Sequence, residues 1–286
     1  MARATIEPIT DATLPEVAAL LHENLDRNRP TDDWIAALKT HWGGERPNFG
    51  FLLRSDARVV GAICAFYAQR AIGGRIERTC NITSWCVLDE FRNQSMRLAM
   101  AVTGQQGWHF TDFSPTAVVG GVLRFLKFKP LDERQAVILN LPLPRPDSRL
   151  LSRQRDIEGA LERFGTEEQR RAYRDHVAFS WLNHLLVGAG NRWCHVIYKR
   201  TAFKGVPAAR VIYLSDGETF IRHFGRLATH LLLRAIVSTH VECRFLPRQP
   251  WPSAIRSGFN AKLYLSESLR DNDIDYLYSE TMALDI

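Results

Sequence analysis

Apolar residues fall at helical spacing near the start of the chain. Val17, Leu20, Leu21 and Leu25 share one helix face, Asp11 or Thr13 can cap that helix, and Pro15 sits in its first turn. Residues 5–10 before it read as a short strand. After Pro30, Thr31-Asp32-Asp33 starts a second helix carrying Trp34, Ile35, Leu38 and Trp42, which Gly43-Gly44 ends. Residues 49–54 and 58–71 read as a hairpin across Ser55-Asp56-Ala57, the second strand nearly continuous in apolar residues and therefore buried. Gly73-Gly74 turns the chain into a third strand over 79–87. Polar residues 88–94 turn it again. A helix starts near Ser95, with Met96, Ala99, Met100 and Val102 on one face.

Residues 108–113 follow as a strand expected to lie parallel to the third. Ser114 and Pro115 are suited to open a helix over 117–126, and 135–141 is another apolar strand. Pro142, Pro144 and Pro146 break the pattern, so 143–149 reads as a linker between a first domain, 1–142, and a second, 150–286. In the second, 149–186 reads as mostly helical. A hairpin of 193–201 and 208–215, a helix over 218–237 and a strand over 241–246 follow. A short helix from Pro252 and strands over 262–266 and 274–281 complete the pattern.

The chain has 286 residues, 45% apolar and 24% charged, which suffices for the cores of two domains. Its longest apolar runs are too short to span a bilayer, and Met1-Ala-Arg-Ala is no signal segment, so a cytoplasmic protein without a membrane partner is expected. Five cysteines, an odd count without CxxC or Cys/His spacing, argue against disulfides and against a zinc site, and no metal is expected. The net charge of +6, from 37 basic and 31 acidic residues, suits an anionic ligand. No basic block with interleaved aromatics marks a nucleic-acid partner.

The junction between strand 79–87 and the helix from Ser95 has a chemical use. The first turn of a helix leaves N–H groups unpaired and carries partial positive charge, and a loop wrapped around an anion exploits both. Arg92 and Arg97 add cations. With the two helices and hairpin before it, and the strand and the helix ending in Lys127-Phe128 after it, the stretch 5–141 resembles the GNAT superfamily of acyl-CoA-dependent N-acyltransferases. The family loop pattern V-x-P-x-x-R-G-x-G-x-G/A falls on Val87 to Arg97. Val87, the aromatic Phe91 and Arg92 match; Asp89 stands for the proline, and Asn93, Ser95 and Arg97 stand for glycines.

The resemblance implies an α/β (α+β) fold: a mixed, mainly antiparallel sheet flanked by helices. The second half repeats the order of elements and looks like a degenerate second GNAT-like unit. Its Ser215-Asp216-Gly217-Glu218 puts carboxylates where an anion would sit, so a structural or acceptor-binding role is expected there. The implied co-substrate is acetyl-CoA or another acyl-CoA. Backbone of Trp85, Cys86 and Val87 would take the pantetheine arm and polarise the thioester carbonyl; Arg92, Asn93, Gln94, Ser95, Met96 and Arg97 would take the diphosphate, and Thr116 would lie nearby. The implied reaction is transfer of an acetyl or short acyl group to an amine, either a small molecule or a sugar- or peptide-like metabolite.

Asp112, one residue before the end of its strand, is the candidate base, with Ser114 as a relay. The bland readings are a surface acid for Asp112, helix caps for Ser114 and Thr116, and buried filler for Cys86. The family's tyrosine, which protonates the departing thiolate, falls on Leu123, which cannot. A transferase using aminoacyl-tRNA, also built from tandem GNAT-like units, and a non-catalytic CoA-binding module remain alternatives.

Overall fold

A computed structural model describes residues 4–143 and 146–285. They divide into two compact units. Unit 1 holds the described residues through Leu131, then Asn260–Asp273 and those from Tyr278; unit 2 holds Asp132–Phe259 and Ile274–Leu277.

Unit 1 opens with β1 (Thr5–Pro8), α1 (Leu14–Asn24) and α2 (Thr31–Leu38). β2 (Gly50–Ser55), β3 (Arg58–Ile72) and β4 (Arg75–Val87) form an antiparallel meander. Ten consecutive residues of β3 are buried, as expected of a strand covered on both faces. Then come a 3-10 turn (Asp89–Gln94), α3 (Ser95–Thr103), β5 (His109–Asp112), α4 (Ala117–Phe125) and β6 (Lys129–Pro130). The core between sheet and helices includes Ile63, Tyr67, Ile82, Leu98, Val102 and Leu123.

Unit 2 contains β7 (Gln135–Leu139), β8 (Arg149–Leu151), α5 (Gln154–Phe164), α6 (Glu167–His176) and β9 (Asn183–Ala189). β10 (Arg192–Phe203), β11 (Val206–Leu214), α7 (Gly217–Leu232), β12 (Ser238–Glu242) and β13 (Ser253–Arg256) follow. The chain then supplies unit 1 with β14 (Leu263–Leu265) and α8 (Glu280–Ala283).

The two sheets have matching plans. Their strand orders are β1-β2-β3-β4-β5-β14-β6 and β13-β7-β12-β11-β10-β9-β8, the second being the first read backwards. In each, the fourth and fifth strands are parallel and flank a helix in sequence, β4-α3-β5 and β11-α7-β12, and the sixth is antiparallel to the fifth. The expected repeat is therefore present as a repeat of topology.

Several expectations need correcting. The boundary is not at 143–149: β7 was expected in the first domain and pairs in the second sheet, while β14 was expected in the second and pairs in the first. The expected linker ends on the first residue of β8, Arg149, and its Pro144 and Arg145 lie outside the described residues. Residues 183–186, expected to be helical, begin β9, because the run His184–Val187 pairs with β10. The helix from Pro252 is strand β13, and 274–281 holds no strand; it leads into α8 instead. Short apolar runs do not separate helix from strand by periodicity, and pairing partners decided these cases. No helix among the described residues is long and apolar enough to cross a membrane.

Gly50 starts β2 at φ +114°, and a Cβ there would lie 2.0 Å from the Ile63 carbonyl oxygen. Strain and clash act together at a backbone neighbour that cannot move aside. Gly50→Ala is expected to cost about 2 kcal/mol or more in urea unfolding; an unchanged midpoint would contradict this register.

Candidate active site

The site grows from the point where two parallel strands part. β4 and β5 pair over three residues only, Thr79–His109, Cys80–Phe110 and Asn81–Thr111. Beyond Asn81, β4 runs six residues further to Val87 with β3 on one edge and no strand on the other. The two strands thus splay apart past Asn81. Asn81 pins its apex. Its Nδ2 donates to Thr111 Oγ1 at 3.1 Å, and its Oδ1 accepts from the Glu280 N–H at 2.8 Å.

Just past the apex the β3–β4 register slips between Ala62 and Cys64, and Ser84 takes φ +50°. A bulge of this kind re-aims the residues that follow. Leu88 N–H donates to Val60 O at 2.9 Å. Amides alternate along a strand, so the N–H of Val87 turns to the opposite, open edge.

At the open end of β5, Asp112 and Glu280 come together with Ser114. Only 4% of Asp112 and 1% of Glu280 is exposed. Ser114 Oγ donates to Glu280 Oε1 at 2.8 Å, and Ser114 N–H donates to Asp112 Oδ1 at 3.1 Å. Burial pushes the Asp112 carboxyl well above its ordinary range, and the charge of Glu280 pushes it the same way. Burial also raises Glu280, against the hydrogen bonds it accepts from Thr83, Ser114 and the Phe113 N–H. Both residues line a cavity of about 220 Å³ in unit 1, with Thr83, Ser84 and Trp85 from the splay, Thr116 from the start of α4, and Arg29 and Trp34 from the α1–α2 region.

The candidate residues fare unequally. Asp112 and Ser114 lie together, joined through the Ser114 backbone N–H, while the Ser114 hydroxyl bonds Glu280. Trp85 lines the cavity, and Cys86 and Val87 lie on the unpaired stretch of β4. Cys86 is buried with its thiol pushed up by burial, which suits filler and not a nucleophile. Thr116 caps α4, accepting from Val119 N–H at 3.3 Å. Ser114, expected to be that cap, is bonded to Glu280 instead.

The stretch Arg92–Arg97 is not the open cradle expected. Residues 89–94 wind into 3-10 turns that run straight into α3. Phe91 N–H donates to Leu88 O and Ser95 N–H to Arg92 O, so these amides are spent on the chain's own carbonyls. With glycines replaced by Asn93, Ser95 and Arg97, the backbone closes on itself. The Arg97 guanidinium bonds Ala4 O and Gln94 Oε1, while Met96 is partly exposed on α3. Arg92 pairs with Asp89 at 2.8 Å, but 73% of its side chain is exposed, so the pair holds it weakly.

Glu280 escaped the sequence reading because 166 residues separate it from Ser114 and it falls where a strand was expected. Leu123 is fully buried in the unit 1 core, confirming that it plays no polar part. In unit 2 the matching positions are filled. Asp216 caps α7, accepting from Glu218 N–H and Thr219 N–H. Beyond the three β11–β12 pairs, buried Glu242 bonds Arg244 and Tyr276. Among the described residues no group of three side chains could hold a metal ion.

No protein-family model matches the sequence, and no curated protein does. Solved structures do match. A GCN5-related N-acetyltransferase from Anabaena variabilis covers 92% of this chain and 72% of its own at 11% identity, TM-score 0.61. One from Kribbella flavida covers 92% and 71% at 14% identity, TM-score 0.59. A conserved protein of unknown function from Enterococcus faecalis, a probable N-acyltransferase, covers 91% and 71% at 12% identity, TM-score 0.61. The fold is that of the GCN5-related N-acetyltransferases, built as tandem units.

Because Asp112 and Glu280 bind protons more tightly folded than unfolded, they weaken the fold as pH rises through their raised values. As pH rises from about 4, Asp112→Asn is expected to lose less stability in urea than the parent. Identical pH slopes would mean that the pair is not strained by ionisation.

Proposed function

We propose that the protein transfers a short acyl group from an acyl-CoA thioester to a small amine. The observation that carries this reading is the splay itself: an unpaired edge of β4 past Asn81, with two buried carboxyls at its open end. Unpaired strand edges bind extended chains through N–H and C=O groups, and the amide-bearing pantetheine arm is such a chain. The residues therefore fit the arm. For the diphosphate, the amides of Phe91 and Ser95 are already bonded, which leaves the exposed side chain of Arg92 as the cation that can swing to it.

The chain's own groups then have definable tasks. The Asp112/Glu280 pair takes a proton from the bound ammonium, freeing the nitrogen lone pair. A carboxyl held above its ordinary range is suited to proton transfer near neutral pH. Val87 N–H on the open edge donates to the carbonyl oxygen as it gains charge. The C–N bond forms, the nitrogen releases its second proton to solvent, the C–S bond breaks and its electron pair leaves on sulfur. A thiolate, with an ordinary thiol pKa of about 8.5, departs without a tyrosine at the position of Leu123. Unit 2, whose corresponding polar groups are mutually bonded, takes a structural part.

A non-catalytic CoA-binding module is the second reading, and the buried Leu123 favours it. Thiol release from acetyl-CoA across an amine panel separates the two. Turnover is expected, and Asp112→Asn and Glu280→Gln should each lower kcat by about 10²- to 10⁴-fold with acetyl-CoA binding retained. Binding without turnover on any amine would establish the second reading; absence of binding would remove both.

A further inference from the structure

In unit 2, His184 of β9 and His195 of β10 are diagonal neighbours on one face of the sheet. His184 Nδ1 lies 3.1 Å from His195 Nε2, and the rings stack with centroids 5.4 Å apart. His195 is fully buried, and so is His176 of α6. The outer nitrogens, His184 Nε2 and His195 Nδ1, are buried and have no hydrogen-bond partner. In the neutral pair one ring gives its N–H to the other, which leaves one outer nitrogen bare and the other carrying hydrogen. A further proton would make both outer nitrogens donors without acceptors. It would also bury a charge where, among the described residues, no carboxylate bonds either ring.

The helix α6 closes this chamber. Its Tyr173 ring packs edge-on against both imidazoles, at 5.2 and 5.9 Å, and Tyr213 of β11 flanks His195 at 5.7 Å. The charged groups nearby are engaged elsewhere or have the wrong sign. Asp175 of α6 is held by Arg171, Glu158 of α5 acts on Tyr173, Asp216 caps α7, and the buried Lys199 further along β10 is a cation. Burial pulls His184 down to about 4, partly opposed by the His176 backbone. Burial also pulls His195 well below its ordinary value, and the charges of His184 and His176 pull the same way. Unfolded rings take up protons near pH 6.5 and these do not. The stability they lend is therefore whole above about pH 6.5 and is lost as pH falls toward about 4. What the pair holds down is small: α5 and α6 reach the sheet through a cluster of Ile157, Leu161, Tyr173 and Leu186, separate from the core under α7. Segments with few buried contacts open on their own.

We infer that the helical pair α5–α6 is an acid-released flap on unit 2, latched at neutral pH by the uncharged pair His184–His195. When the rings take up protons the flap lifts, and water reaches the outer nitrogens.

Hydrogen exchange of the full chain between pH 7 and pH 5, corrected for the intrinsic rate at each pH, reads the flap directly. Opening of 154–176 is expected to rise about tenfold or more for each histidine that titrates, ahead of any rise in α7. His184→Gln and His195→Gln should each cut that rise about tenfold or more, with circular dichroism at pH 7 reporting the fold of each variant. Opening of 154–176 that is unchanged by pH, that rises only together with α7, or that keeps its full pH response in both variants would overturn the inference. Should a variant fail to fold, the parent's own comparison of 154–176 with α7 decides it.

Discussion

The parallel pairing of β4 with β5 stops after three residues, and the rest of the candidate site depends on that stop. A longer ladder would bond the amides of 82–87 to a neighbouring strand. Instead the Asn81 side chain takes over at the last pair, holding Thr111 on one side and the start of α8 on the other. The slip in register and the left-handed Ser84 then carry β4 away along β3. Backbone groups on such an edge need partners from somewhere, and a bound chain is one way to supply them.

The same arrangement explains why two acids can be buried side by side. Asp112 ends β5 and Glu280 starts α8, so each is set down by an element whose own hydrogen bonds are made. Ser114 links them, and the low-dielectric surroundings raise the proton affinity of both. Unit 2 is an internal comparison. It has the same parallel pair of three residues, yet Asp216 occupies its helix N-terminus, and Glu242, Arg244 and Tyr276 bond one another. One topology is used twice; in unit 1 the two acids at the splay line a cavity, and in unit 2 Glu242 is tied to Arg244 and Tyr276.

Much of unit 1 was legible from local pattern. The hairpin 49–71, the third strand, the helix from Ser95 and a parallel strand over 108–113 follow from periodicity and turn residues, and Asp112 with Ser114 could be nominated from their place at and just past the end of that strand. The exchange of β7 and β14 between sheets was not legible, because strand partners are chosen by tertiary packing and both runs are short and apolar. Glu280 was hidden for the same reason. The closed turn at 89–94 is the instructive miss. A strand, a polar loop and a helix predict an anion cradle only if the loop keeps its amides free; without glycines at 93, 95 and 97, ordinary backbone preferences let it wind into 3-10 turns.

The account's central claim is that the free edge of β4 receives the thioester carrier. Amide hydrogen exchange with and without saturating acetyl-CoA measures this directly. Slowed exchange within 82–87, with little change across the already bonded turn at 89–95, is the result the account predicts. Unchanged exchange in 82–87 while acetyl-CoA is demonstrably bound would show that the carrier lies elsewhere and contradict it.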